Sequence, residues 1–541
     1  MIFSRTILFS LPILAAGLRA LALPGWSWGG LIFLAPLFRV IYWEKGGTWK
    51  GDLLGGIAFF ALAFRFLSHV APELPWAPPI GVGIYLGGWW VLEGWLYRRL
   101  RRQRGLFVSA FFALLTVEFF RMVSPMGGVP WGSYSLGLAD WSLVHDTADI
   151  LGERGWILVV LYFSCLFALI PFRAFQAEQG RRFLALGIFF LAVVNWFPKA
   201  ILGQEKDSIL AVAVQANIGV DEKHARELEG GGPPSAMDIY ERQVEWTSRA
   251  LEVHPTAELV LWAETMFPFP MVPLDAKGVM RRPWPGSPDE VVPVGHLHHF
   301  QTEVAQEVFA SQASPHPWLV VGCHFYQGVP EDSGAWSPRT SEVVAFDPLG
   351  QMAAHAAKVE LVPFGEQLPL GGAFPGADAL SLAIFASFGL LPNFDQPNRP
   401  GPLTVRGHDL GVAVCWENVF EGVFRRQAER GAEAFLVLSN ENWYGLSEEM
   451  DQMVAATQYR ALETGRFIFR STNTGQTVLV GPTGTLLESM KRGKAGFLGV
   501  SLPMVAAQHL TPYLQWGWIL LPLLAVAGLL WALLDPIFRR E

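Results

Sequence analysis

Three short segments hold side chains of the types that together perform acyl chemistry. In GVAVCWENVF an apolar alternation from Gly411 runs into Cys415, and a helical pattern follows. In LVLWAETMFP Glu264 stands just beyond a β-branched run, and in AAKVELVPFGEQLPL Lys358 precedes a Val-Pro-Phe-Gly turn with Glu366 past it. A thiol attacks as its thiolate, which requires a base, and a glutamate can serve. The tetrahedral intermediate that follows carries an oxyanion, which a lysine can hold. Each residue alone has a plainer reading: Cys415 as a buried structural thiol, Glu264 as a solvated strand end, Lys358 as a surface lysine. Cys415, however, sits at a strand-to-helix transition, where a helix dipole favours the thiolate. Cys323 also follows an apolar run, but no such turn comes after it, and it reads as inert. Glu, Lys and Cys at the ends of separate strands can converge in one α/β sheet.

The elements that would position them lie between Leu210 and Leu510, where the composition is that of a globular domain. Ile209–Gln215, Glu258–Trp262, Trp318–Gly322, Glu342–Phe346, Asp409–Val414, Ala434–Leu438, Phe467–Arg470 and Thr477–Val480 are short apolar runs that read as buried strands. Helical patterns cover Ser235–Ala250, His299–Ala310, Val419–Arg430 and Glu449–Thr464. Strands alternating with helices predict an α/β domain. Gly230–Pro234 and Pro270–Pro293 read as surface insertions. His298 and His299 fall in such an insertion, no His/Cys spacing suits a metal, and no cofactor is expected.

The remainder is too apolar for a soluble chain. Of 541 residues, 51% are hydrophobic, 16% are charged and 22 are tryptophan, a composition that suits a membrane and its interfaces. The formal net charge of -8 argues against a nucleic-acid partner, and three cysteines make no disulfide framework. Apolar segments at Ile7–Leu23, Leu31–Trp43, Leu53–Val70, Ile80–Leu96, Leu106–Phe120, Trp156–Ile170, Phe183–Phe197 and Trp516–Leu534 predict about eight transmembrane helices, several of them short for a bilayer. The first reads as a retained span rather than a cleaved signal, because six more follow closely. Arg5, Lys45, Lys50, the YRRLRRQRG loop, Arg173, Arg181, Arg182, Arg539 and Arg540 fall in alternate loops. This places both termini in the cytoplasm and the globular domain on the opposite side, the periplasm of a Gram-negative cell.

The order WAE, KVELVPFGE, GVAVCWE resembles the nitrilase (carbon–nitrogen hydrolase) superfamily. With seven spans before that domain and one after it, the chain resembles the apolipoprotein N-acyltransferase family. VAVQANI at Val212–Ile218, GGVPW at Gly127–Trp131, SNENWYG at Ser439–Gly445, RALETGRFIFRSTNTG ending at Gly475 and TPYLQWG at Thr511–Gly517 extend the likeness to nearly the whole chain. The resemblance implies a multi-span α-helical membrane domain over 1–200, a nitrilase-like αββα sandwich over 208–508 and a final transmembrane helix with a short tail over 515–541. It implies Glu264 as general base, Lys358 as triad lysine, Cys415 as nucleophile, Glu366 and Glu417 with Trp416 as supporting residues, and Asn440, Trp443 and Tyr444 as substrate contacts. It further implies ping-pong transfer of an acyl chain from a phospholipid to the α-amino group of a lipoprotein's S-diacylglyceryl-cysteine, at the bilayer, by a monomer. Leu380–Leu391, apolar but too short to span a bilayer, reads as an interfacial arm or else as a buried core helix.

The chain departs from the family pattern at Ala263 (usually Pro), Trp416 (Tyr), His224 (Trp), Thr340-Ser341 (Tyr-Asn) and Glu441 (Asp). These bear on substrate contact rather than on the triad. Two other readings stay open: a membrane-tethered amide or nitrile hydrolase, in which water resolves the thioester, and an inactive membrane scaffold or transporter. The loop charges make a direct prediction. In variants lacking native cysteines, a cysteine at Ser314 should react with an impermeant maleimide on spheroplasts while one at Gln103 stays unlabelled; the reverse pattern would invert the topology.

Overall fold

The computed structural model describes residues 5–26, 28–124, 128–172, 178–196, 205–219, 235–282, 290–310, 312, 315–363, 365–367, 376 and 401–538. Leu380–Leu391, His224, Ser314, Arg173, Arg539 and Arg540 lie outside them. The chain divides into two compact units. One comprises Met1–Leu202, Trp443–Gly465 and Leu510–Glu541, and the other Gly203–Asn442 and Arg466–His509.

The first unit is helical: α1 Arg5–Leu21, α2 Ala35–Glu44, α3 Trp49–Ala63, α4 Ala77–Arg101, α5 Leu106–Val123, α6 Ser142–His145, α7 Ala148–Phe167 and α8 Glu178–Trp196. Three segments among the described residues are long and apolar enough to cross a membrane: Leu106–Val123, Ala148–Phe167 and Gly517–Leu534. The run read as a span over Leu31–Trp43 is a 3₁₀ turn, Gly29–Phe33, followed by the ten-residue α2, about 15 Å of helix and half a hydrocarbon core. The run over Leu53–Val70 breaks at Phe64 into α3 and a 3₁₀ turn, Arg65–His69.

Several buried charges inside this unit are paired, which offsets the cost of low-dielectric burial. Arg19 donates to Glu118 at 2.9 Å and to the Gly132 carbonyl at 3.0 Å, and Arg121 meets the same Glu118 at 2.8 Å. Arg39 lies between Asp52 and Glu93. Arg65 pairs with Glu448, and its guanidinium stands 4.4 Å from the Trp26 ring centroid.

The second unit contains helices α9 Ala236–Val253, α10 Val294–Glu307 and α11 Glu421–Ala428, and fourteen described strands. These are β1 Glu205–Gln215, β2 Leu259–Trp262, β3 Val279–Arg282, β4 Glu290–Pro293, β5 Trp318–Tyr326, β6 Arg339–Phe346, β7 Met352–Ala357, β8 Leu403–Val405, β9 His408–Val414, β10 Ala434–Ser439, β11 Ile468–Thr472, β12 Val478–Val480, β13 Leu486–Ser489 and β14 Gly496–Val505. One six-stranded sheet has the order β14-β1-β2-β5-β6-β7, the other β13-β12-β11-β10-β9-β8, and β3 pairs with β4. β1, β2 and β5 run parallel, as do β9, β10 and β11.

Period-two alternation builds the sandwich. Ile209, Ala211 and Ala213 of β1 pack with Val412, Leu436 and Phe469 of the other sheet into one core. Val212 and Val214 face the opposite way and pack with Leu251, Val304 and Val308 of the helical layer. α11 covers the far face of the second sheet: Phe424 lies 5.0 Å from Phe435, and Gln427 exchanges hydrogen bonds with both backbone groups of Val412. Helix α12, Glu449–Thr464, follows β10 in sequence but groups with the first unit. There Arg460 pairs with Glu153 of α7 at 2.5 Å, and Tyr459 donates to the Ser135 carbonyl at 2.9 Å. α13 Pro512–Gln515 and α14 Leu520–Phe538 complete the first unit.

Some expectations change. The Pro270–Pro293 run is not a bare surface insertion: β3 and β4 form a hairpin there, and Val272 and Met280 are fully buried. His298 and His299 lie on α10, where His298 meets the Pro273 carbonyl at 2.7 Å. Cys323 stands inside β5, not after a strand, and is fully buried. β6 begins at Arg339, so Thr340 and Ser341 are strand residues.

Candidate active site

Each of the three reactive side chains lies within two residues of a strand end. Glu264 lies two residues past β2, which is hydrogen-bonded on both sides, to β1 and β5. The next residue, Thr265, turns the chain with a φ of 59°. Gly322 on β5 makes room for this turn, since a Cβ there would stand 2.6 Å from the Glu264 Cα. Lys358 is the first residue after β7, and its N–H still donates to the Ser341 carbonyl at 2.8 Å. Cys415 is the first residue after β9, with a φ of 52°. A non-glycine residue in the left-handed region costs about 1–3 kcal/mol and persists where the surroundings impose it. The sequence placed Cys415 at a helix N-terminus. It opens instead a single 3₁₀ turn, Cys415–Val419, with α11 beginning only at Glu421, so the helix dipole is displaced from the thiol and local charges take its place.

Lys358 is the centre of the cluster. Its ammonium stands 2.9 Å from Glu366 and 3.5 Å from Glu264, with its side chain wholly shielded from solvent. Burial works against its charge, but Glu366, Glu264 and Cys415 outweigh burial and hold its pKa well above the usual lysine value. At Glu264 burial prevails instead. Burial, aided by the negative field of Glu366, raises its pKa over the opposing pull of Lys358. Glu264 also accepts a hydrogen bond from the Cys415 side chain and, at 3.1 Å, from the Asn440 N–H. A carboxylate with a raised pKa, in contact with a thiol, is suited to take the thiol proton.

The supporting glutamates do different things. Glu366 bridges the Lys358 ammonium and, at 2.9 Å, the Val362 N–H, closing its own turn. Glu417 accepts N–H groups from Val359 at 2.6 Å, Glu360 at 3.1 Å and Val414 at 2.8 Å. It thus ties the segment after Lys358 to the elbow at Cys415. Burial pushes its pKa up to about 7 against those three donors and Lys358.

The expected substrate contacts separate. Asn440 belongs to the cluster, but its side chain is engaged with Thr265 at 3.0 Å and Asn473 at 3.1 Å, so it positions Glu264. Trp443 and Tyr444 fall in the helical unit, where the Tyr444 ring packs edge-on against Phe66 at 5.1 Å. Trp416 is buried and packs against Phe420 of its own turn. Sequence reading gave no role to Asn473, which exchanges hydrogen bonds with both backbone groups of Ile218 and donates to Asn440. The available signal was RSTNTG, whose polar run interrupts a buried strand end. Among the described residues, no group of three or more His, Cys, Asp or Glu is arranged to hold a metal ion.

The carbon–nitrogen hydrolase family model matches residues 213–510, over half of the chain. This chain belongs to the carbon–nitrogen hydrolase family. A second family model, the apolipoprotein N-acyltransferase N-terminal domain, matches residues 15–166. The chain is 24% identical to the apolipoprotein N-acyltransferase of Bdellovibrio bacteriovorus across 95% of its own length and 90% of that protein's. It is 36% identical over 197 residues to the protein of that name from Pseudomonas aeruginosa, an alignment that spans 36% of each chain. An amidase from Nesterenkonia sp. aligns with 58% of this chain and 95% of its own at 17% identity and a TM-score of 0.34, a likeness too slight to argue from.

Replacing Glu366 by Gln removes the closer of the two carboxylates on Lys358 while keeping its shape. Acyl transfer should fall by about 10²-fold or more, the scale of losing one preorganised electrostatic group, with the circular dichroism melt little changed. Near-parental turnover would make Glu366 a bystander.

Proposed function

We propose that this chain is an apolipoprotein N-acyltransferase, moving an acyl chain from a phospholipid through a Cys415 thioester to the α-amino group of a diacylated lipoprotein's N-terminal cysteine. The observation that carries the reading is the Glu264–Lys358–Cys415 cluster in a chain whose helical unit matches the N-terminal domain of enzymes of that name.

In the first half-reaction Glu264 takes the Cys415 proton and the thiolate attacks the ester carbonyl. The oxyanion develops beside Lys358 and backbone N–H groups. As the intermediate collapses, the lysophospholipid oxygen departs with the proton from Glu264, leaving a thioester. In the second half-reaction the lipoprotein amine attacks the thioester and Glu264 accepts its proton. Collapse forms the amide and returns the proton to the Cys415 sulfur.

A membrane setting suits both substrates. Leu186, Phe189 and Trp196 on α8 and Leu523 and Leu530 on α14 are exposed; a soluble monomer rarely shows such apolar faces, whereas hydrocarbon accepts them. The loop charges extend the reading to an α/β unit in the periplasm with both termini in the cytoplasm. In the amide-hydrolase alternative an amide is the acyl donor, its amine leaves in the first half-reaction, and water resolves the thioester.

Purified protein given a phospholipid and a diacylated lipopeptide should convert the peptide's N-terminus to an amide. Transfer should vanish in Cys415→Ala and drop about 10²–10³-fold in Lys358→Ala. Because Glu264 must be deprotonated to act and its pKa is raised, the rate should fall as pH drops through a midpoint above the ordinary carboxylate range. Release of free fatty acid, with no amide formed, would favour the hydrolase.

A further inference from the structure

The cluster is short of positive charge. When the thiol proton moves to Glu264, the thiolate, Glu366 and Glu417 surround one ammonium, Lys358. A second cation lies within the α/β unit, on a residue that the triad chemistry does not use. Arg470 of β11 and Glu441, two residues past the end of β10, are both wholly buried and form an ion pair.

Strand register places this pair. Val437 is the partner of Arg470 on one side and of Ala413 on the other, so these three residues form one row across β11, β10 and β9. Their neighbours Phe469, Leu436 and Val412 fill the core between the sheets. The row containing Arg470 therefore projects from the outer face. Because Glu441 lies beyond the C-terminal end of β10, an arginine paired with it directs its guanidinium toward that edge. Cys415 begins at the same edge, one residue after Val414, whose partner is Leu438. Burial draws the guanidinium down to about 10, and the negative charge of Cys415 opposes that fall. Arg470 therefore stays protonated at neutral pH. Gly475 keeps the space for the pair, since a Cβ there would collide with the Glu441 carboxylate.

We propose that Arg470, oriented by Glu441, is the second cation of the site and stabilises the Cys415 thiolate through its field from the outer face of the second sheet. The charged groups around Cys415 are then Glu264 after β2, Lys358 and Glu366 after β7, Glu417 in the turn after β9, Glu441 after β10 and Arg470 on β11. Glu441, where the family pattern has Asp, is one methylene longer, and its reach sets where the guanidinium sits. A buried pair of this kind is costly to desolvate and weak evidence for stability; a role in charging the thiol gives it a function. The inference rests on Cys415 being the nucleophile of the proposed reaction.

The test is the pH dependence of Cys415 alkylation by iodoacetamide in the full-length protein in detergent, with alkylation located by peptide mapping. Arg470→Met should raise the midpoint by about one unit, slowing alkylation about tenfold at pH values below both midpoints. Arg470→Lys should recover most of that loss. Glu441→Gln, which frees the cation from its counter-charge, should move the midpoint down. A structural role alone would lower the melting temperature in all variants and leave the midpoints together. An unchanged midpoint in a folded Arg470→Met, or shifts of the same sign in Arg470→Met and Glu441→Gln, would overturn the proposal. If Arg470→Met does not fold, Arg470→Gln, which keeps polar contacts but no charge, takes its place: a raised midpoint supports the proposal, and an unchanged one refutes it. Alkylation needs no lipid, so a charged thiol without acyl transfer would sink the proposed function and leave this inference standing.

Discussion

One buried ammonium shared by two carboxylates sets the behaviour of the site. Lys358 lies closer to Glu366 than to Glu264, 2.9 Å against 3.5 Å. In a low-dielectric setting that difference matters, because the nearer partner takes more of the cation's field. Glu366 therefore anchors the lysine, and Glu264, less stabilised as an anion and buried, keeps a raised affinity for protons. Were Glu366 absent, Lys358 would be free to close on Glu264, and the base would become a better anion and a poorer base. The second glutamate thus tunes the first without touching the thiol's proton.

The backbone is held as firmly as the charges. Cys415 occupies a conformation that a non-glycine residue rarely adopts, and Glu417 maintains it from two residues away. Its carboxylate binds the Val414 N–H before the elbow and the Val359 and Glu360 N–H groups after Lys358. One side chain therefore fixes nucleophile and lysine relative to each other across the two sheets. On the opposite side, the Asn440 N–H holds Glu264, and Asn473 holds Asn440. The reactive groups sit on strand ends whose positions the sandwich core determines, and these polar bridges set the last ångström.

What could be read from sequence followed the strength of the local signal. β2, β5, β9 and β10 are continuous apolar runs, and their ends located Glu264 and Cys415. β7, with the sequence MAAHAA, has weak strand propensity, and β14 carries Gly and Pro at a sheet edge; neither was anticipated, although β7 delivers Lys358. The elbow at Cys415 was mistaken for a helix start because a 3₁₀ turn and a helix share a polar–apolar pattern over five residues. Asn473, Arg470 and Glu441 act through partners far away in the chain, which no local pattern encodes. Trp443 and Tyr444 illustrate the converse: a recognisable segment need not keep all its side chains in one unit.

The central claim is that Cys415 carries the acyl group between donor and acceptor. Its most direct test is the mass of the protein after incubation with phospholipid and no acceptor amine. The account predicts a gain of one acyl chain, mapped to Cys415, removed by neutral hydroxylamine, and discharged to an amide once a diacylated lipopeptide is added. An acyl group on Cys323, or transfer to the lipopeptide with no acyl-protein ever formed from phospholipid alone, would contradict it.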